Sequence, residues 1–314
     1  MNLSTAEQLA STVPKRKKLQ RNGLLLLLMA LPFVVLVFIF YYVPLFGWVY
    51  AFYNYKPGIP LSQSEFVGLK YFQMALSEGS ELGTVLRNTL GLSFLGILTS
   101  PLPIAFAIML SEVRSKTFKK LTQTLTTLPN FVSWVIVFSL FFSIFSVEGL
   151  MNQLLAKFHL IDSPLNPLAN PDAAWYMQTA IGIWKGLGWG AIIYLAAITG
   201  IDAELYDAAK VDGAGRFQTI WHITVPGIMP TYFVLLLLSI SGMLSNGFEQ
   251  YFVFMNPLVN EKLNVLDYYL YNVGIVQNDY SYSTALGIFK TIVSILLLFT
   301  ANLLSKRIRG QSII

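Results

Sequence analysis

Three ionisable side chains, Lys185, Glu249 and Lys290, fall inside apolar runs of this chain. A charge in hydrocarbon is costly, so each marks by default a polar path or a paired group. Beside them stand Trp184, Asn246, Gln250 and Tyr251. Amides and carboxylates hydrogen-bond hydroxyl groups, and aromatic rings cover apolar C–H faces, so the set suits a polyhydroxylated ligand. At about 1.5 Å of helical rise per residue, Lys185, Lys290 and Glu249 lie about 12, 10 and 9 Å inside the outer ends of their runs. The convergence predicts a polar vestibule lined by the fourth, fifth and sixth apolar segments. A second role is compatible with the first: Glu249 pairs with Lys185 or Lys290 to hold the helices, and the other lysine snorkels outward. Two lysines against one carboxylate also suit an anionic ligand. Ser239, Ser241, Gly242, Ser245 and Gly247 either let helices pack closely or leave room for a ligand.

Other chemistries find no residues. The chain has no cysteine, which removes disulfides and thiolate metal sites. His159 and His222 belong to no metal-ligand spacing,. There is no G-x-x-x-x-G-K-[ST] loop to cradle phosphates, so this chain is not itself expected to hydrolyse ATP,. The acids are scattered, with no paired carboxylates in the loops, as a membrane-embedded glycosyl-transfer enzyme would need. No inverted repeat, the mark of many transporters that work without ATP, is visible.

The elements that position these residues are membrane helices. Of 314 residues, 55% are hydrophobic and 12% charged, whereas a soluble domain is about a quarter charged. Six segments reach the roughly 20 apolar residues needed to cross a bilayer. They are residues 24–46, 85–111, 129–146, 177–200, 230–255 and 283–305. Pro129 suits the first turn of the third. Pro32, Pro44, Pro101 and Pro103 predict kinks in the first two. The net charge of +5 is membrane topology and not a nucleic-acid face. Lys15, Arg16, Lys17, Lys18 and Arg21 precede the first segment. Arg114, Lys116, Lys119 and Lys120 follow the second, Lys210 and Arg216 follow the fourth, and Lys306, Arg307 and Arg309 follow the sixth. The alternate loops carry far fewer, so both termini are expected in the cytoplasm. The first apolar run is too long for a signal peptide and no A-x-A site follows it, so it reads as a retained helix. Residues 1–23 and 306–314 read as cytoplasmic tails around one permease-like domain, 24–305. Residues 47–84 are aromatic-rich and form either an interfacial belt or a docking surface.

Between the fourth and fifth segments lies a polar, glycine-broken stretch, residues 201–229. Asp202 to Val211 favours a short helix with acids in its first turn. Gly213 and Gly215 end it. A second short helix is expected through Phe217, Ile220, Trp221 and Ile223, with Pro226 and Pro230 opening the next segment. The structural alternative is an amphipathic helix lying on lipid. The spacing of Asp207, Ala208, Ala209, then Gly213, then Ile223, Val225 and Pro226 resembles the EAA loop of bacterial ABC importer permeases. Asp207 replaces the usual Glu, and Val225 the usual Leu. FVGLKYF at Phe66–Phe72 and RNTL at Arg87–Leu90 resemble the outer-loop and second-helix motifs of sugar permeases, and NGFEQYFVFMNP at Asn246–Pro257 and YSYSTALGIFK at Tyr280–Lys290 resemble the subgroup importing complex oligosaccharides or polysaccharide fragments.

The resemblance implies an all-α membrane fold: six transmembrane helices in a type I ABC importer permease bundle with a cytoplasmic coupling helix. It implies a bacterial cell-membrane subunit that pairs with a second, homologous permease, two ATPase subunits and an extracytoplasmic solute-binding protein. ATP and Mg would be held by the partner ATPase, with no cofactor in this chain. Asp207, Ala208, Ala209, Gly213, Phe217, Ile223 and Pro226 would contact that ATPase. A membrane-embedded enzyme and an ATP-independent transporter remain the alternatives.

Overall fold

The computed structural model describes residues 21–77 and 81–309. Of the expected tails, 1–23 and 306–314, residues 1–20 and 310–314 lie outside the described residues, while 21–23 and 306–309 belong to helices. The chain divides into two compact units, residues 1–49 and 50–314. In the first, the leucine-rich stretch Arg21–Val37 forms an α-helix that contains Pro32. It continues through a π turn, Phe38–Tyr42, into a 3-10 segment, Val43–Phe52. Its large side chains are exposed from Leu24 to Phe46, as expected of a helix whose surroundings are apolar.

Five further helices of the second unit are long and apolar enough to cross a membrane. They are Leu82–Ser111, Trp134–Lys157, Ala174–Thr199, Arg216–Ser241 and Tyr280–Arg307; with Gly23–Phe52 they make six candidate spans among the described residues. The second is built of two helices, Leu82–Thr99 and Pro101–Ser111. The proline pair withholds N–H groups from the preceding turn, and the Thr99 hydroxyl donates to the Leu95 carbonyl at 2.9 Å there. A two-stranded antiparallel ribbon, Tyr53–Asn54 with Glu65–Phe66, follows the first span.

Two expected boundaries are corrected. The third apolar helix does not begin at Pro129. Residues Leu128–Phe131 form a 3-10 turn, and the helix proper is Trp134–Phe145, capped by the Ser133 hydroxyl,. A polar helix, Lys116–Thr127, precedes the turn. The fifth segment is not a continuous helix over 230–255. It starts earlier and stops at Ser241, because the expected second loop helix runs on without a break. Arg216–Thr219 leads through a π turn, Ile220–Thr224, into Val225–Ser241. Pro226 has no N–H to give an α turn, and the π turn re-pairs the backbone there, with the Val225 N–H on the Ile220 carbonyl. After Ser241 the chain unwinds over Gly242–Gly247, then resumes as Phe248–Phe254. Gly247 sits at φ +86°, a conformation glycine adopts without strain.

The core is local to helix pairs. Ile104 and Ala107 pack with Ala191, Tyr194 and Ile228. Leu286 packs with Val85, Leu244 and Leu266. Gly188 brings the fourth span against the Thr126 main chain, so closely that a Cβ would overlap it.

Candidate functional site

The second, fourth and fifth spans enclose a cavity of about 510 Å³. Its walls are Leu92–Pro103 of the second span, Gln178–Leu187 of the fourth, and Ser239–Tyr251 around the break in the fifth. The break contributes to this wall: Gly242, Ser245 and Asn246 of the unwound stretch line the cavity, next to Ser239 on the last turn of the helix before it. On the fourth span the lining residues Gln178, Gly182 and Gly186 recur every four positions and so share one helix face,.

The amides are held in place. Asn246 Nδ2 donates to Ser93 Oγ at 2.9 Å and to the Thr89 carbonyl at 3.2 Å. Gln250 Nε2 donates to Gln178 Oε1 at 2.8 Å and to the Gln178 carbonyl at 3.0 Å. Asn246 Oδ1 is buried without a hydrogen-bond donor. Tyr251 completes the wall. Such a surface donates and accepts hydrogen bonds with fixed geometry and presents no net charge, which suits hydroxyl-rich ligands.

Of the expected path residues, the structure brings Asn246, Gln250 and Tyr251 to this cavity and leaves the other four elsewhere. Lys185 turns away from it. Its Nζ donates to the carbonyls of Pro129, Asn130 and Val132 at 3.0, 2.9 and 2.6 Å, and it lies 5.2 Å from the Trp134 ring centroid. The 3-10 turn leaves these carbonyls without a full set of helical donors, and the ammonium supplies them. Trp184 packs edge-on against Phe141 at 5.4 Å.

Lys290 pairs with Asp267 and not with Glu249. Asp267 Oδ2 also accepts from the Gly247 N–H at 3.2 Å, which ties the sixth span to the end of the break. Lys290 faces a separate cavity of about 310 Å³ with Ser241, Ser245, Thr291 and Ser294. Glu249 is exposed in the first turn of its helix, where the dipole favours an acid. So the pairing expected for Glu249 is replaced, and the polar wall comes from the second span in place of the sixth. Gln178 and Ser93 went unnoticed in the sequence. The spacing of four in the fourth span was the available signal.

The polar loop folds as a helix, Ala203–Val211. The Asp202 carboxylate caps it by accepting from the Glu204 N–H at 3.0 Å. Asp207 pairs with Lys210 one turn on, at 2.9 Å. Ala208 and Ala209 lie on this helix, and Gly213 ends it at φ +75° with open space where a Cβ would stand. Phe217 is 88% exposed and Val211 87%, while Ile223 and Pro226 sit in the π turn and the start of the fifth span. Tyr206 and Thr224 share a 3.1 Å hydroxyl contact. Arg216 Nε and Nη2 donate to Glu112 Oε2 and to the Glu112 carbonyl at 2.6 and 2.8 Å.

Apolar spans, a polar cavity among three of them and an exposed helix with a spare apolar face define a membrane transport subunit. Residues 99–310 match the family described as the binding-protein-dependent transport system inner membrane component. The chain belongs to this family: it is a multi-pass permease of an ABC importer, not an enzyme, and the ATPase is a separate subunit. It is 42% identical over 292 residues to the polygalacturonan/rhamnogalacturonan transport system permease protein YteP of Bacillus subtilis (strain 168), covering 92% of this chain and 89% of that one. It is 41% identical to protein LplB of the same organism, covering 90% and 88%. A solved bacterial ABC transporter involved in import of the acidic polysaccharide alginate aligns at a TM-score of 0.82 and 35% identity, over 92% of this chain and 97% of that chain. A second structure, of a bacterial alginate ABC transporter in complex with a pentasaccharide-bound periplasmic protein, aligns at 0.83 and 34%, over 93% and 98%.

Proposed function

We propose that this chain forms half of the path of an ATP-driven importer for acidic oligosaccharides of the uronate type. Both termini lie in the cytoplasm. The Asp207–Gly213 stretch receives the ATPase, with Phe217, Ile223 and Pro226 behind it. A second permease supplies the facing half of the path, two ATPase subunits bind ATP and Mg, and a solute-binding protein delivers the sugar from outside.

The cavity is the observation that carries the reading. Its lining sets hydroxyls and amides (Ser93, Gln178, Ser245, Asn246, Gln250) beside glycines that leave room and apolar side chains such as Ile97, Ile183 and Tyr251, a mixture suited to the hydroxyls and the C–H faces of a sugar. The names of the relatives supply the acidic class: YteP carries polygalacturonan and rhamnogalacturonan in its name, and the solved neighbours import alginate. The cytoplasmic position follows from the basic residues flanking the spans, including Lys116, Lys119, Lys120 and Lys210,.

The test is uptake by the reconstituted complex, with labelled oligogalacturonate and a neutral oligosaccharide of equal length. Preferential uptake of the uronate supports the reading. Equal or inverted preference overturns the acidic class, and loss of both overturns the carbohydrate reading.

A further inference from the structure

The loop helix Ala203–Val211 is covalently continuous with the fourth and fifth spans, and with neither end of the second. Yet the second span supplies one wall of the cavity, Leu92 through Pro103. Displacement of the loop reaches that wall only through non-covalent contacts. Hydrogen bonds join the second and fifth spans near the cavity, Ser100 with Tyr232 at 3.2 Å and Asn246 Nδ2 on Ser93 Oγ at 2.9 Å, and apolar packing lies nearer the loop, Ile104 and Ala107 against Ala191, Tyr194 and Ile228. Dispersion contacts of this kind resist separation but are non-directional, so they do not fix the axial position of the second span.

At the loop end of the span a directional contact does. Glu112 caps the end of the Pro101–Ser111 helix. Arg216, just past the loop glycines, donates Nε to its carboxylate at 2.6 Å and Nη2 to its main-chain carbonyl at 2.8 Å. That carbonyl stands at a helix C-terminus, where acceptors are spare and a cation is favoured. The planar guanidinium fork holds both oxygens at once, which fixes direction as well as distance. We infer that Arg216 and Glu112 form the strut that carries displacement of the loop to the second span, so that all three cavity walls move together. The inference rests on the loop being the ATPase contact. The pair is a positioning pair and touches neither sugar nor nucleotide. Its side chains are 62% and 36% exposed, and such pairs add little to stability. Its effect therefore falls on coupling.

The test uses the full complex in proteoliposomes, with the solute-binding protein and oligogalacturonate. Arg216→Ala retains the ATPase subunits and basal ATP hydrolysis, while sugar carried per ATP falls about five-fold, the lower end of allosteric coupling. Glu112→Ala gives the same phenotype, and Arg216→Lys, which keeps charge but not the fork, falls between. Because the chain has no cysteine, spin labels placed through Arg114→Cys and Ala214→Cys, the latter just past the ATPase contact, report the strut directly. Their separation stays constant between nucleotide-free and ATP-trapped states, and changes between those states once Arg216→Ala is added. Unchanged sugar per ATP with unchanged separation overturns the strut and leaves packing and the hydrogen bonds near the cavity as the link. Loss of the ATPase from Arg216→Ala alone makes Arg216 a docking residue and also overturns it. Failure of the parent complex to hold an ATPase overturns the underlying reading instead.

Discussion

Lys185 and Val132, far apart in sequence, are joined by a 2.6 Å hydrogen bond from the ammonium to a main-chain carbonyl. With the Pro129 and Asn130 carbonyls at 3.0 and 2.9 Å, all three protons of the ammonium have acceptors,. A charge that a sequence reading assigns to ligand binding is thus used to close a break in a neighbouring helix. Main-chain polar groups at membrane depth need such a partner, because lipid offers none.

Lys185→Met keeps the length of the side chain and removes its donors. It leaves the Asn130 and Val132 carbonyls short of a partner, while the Pro129 carbonyl keeps the Val132 N–H, for a loss of about 3 kcal/mol. Thermal unfolding of the purified chain in nanodiscs checks this. A transition unchanged from the parent contradicts the bracing role.

Lys290 and Asp267 are partly buried, with side chains 20% and 16% exposed. Removing one partner leaves an uncompensated charge, which costs about 3 kcal/mol in a buried setting. Lys290→Met and Asp267→Asn each destabilise, and the double variant recovers much of the loss. A double-mutant cycle in denaturant reads the coupling. Strict additivity of the two single effects contradicts the pair.

Two glycines of the fourth span separate folding from transport. A Cβ on Gly188 overlaps the Thr126 carbonyl, so Gly188→Ala lowers stability by about 2 kcal/mol through overpacking,. Gly186 has open space at that position and lines the cavity. Gly186→Trp fills the cavity, so uptake is lost while the unfolding transition stays put. The reverse pattern contradicts the assignment of the cavity as the path.

Gly213 holds φ +75° with nothing within 4 Å of a Cβ. Gly213→Ala costs about 1 kcal/mol of local strain, and Gly213→Trp adds bulk on the face offered to the ATPase. Co-purification of the ATPase falls for the Trp variant and survives for Ala. Equal retention in both shows that the partner does not approach this glycine.

The six spans were legible because a run of about 20 apolar residues has few other uses. The loop was legible through the spacing of Asp207, Gly213 and Pro226. The unwinding of Gly242–Gly247 was written in its serines and glycines, but composition alone does not distinguish close packing from a break. The partners of Lys185 were illegible, since they are carbonyls and every residue has one. Asp267 lies outside the apolar runs, so within them Glu249 was the one acid that either Lys185 or Lys290 could meet. Arg216 was legible as a topology charge and not as a contact, because its partner Glu112 is distant in sequence.

This chain is the passive half of a path driven by a separate ATPase, and oligogalacturonate uptake into proteoliposomes holding both permeases, with the ATPase subunits present or left out, decides it. ATP-dependent uptake is expected with them and none without. Uptake that persists down a gradient of protons or sodium in their absence contradicts it.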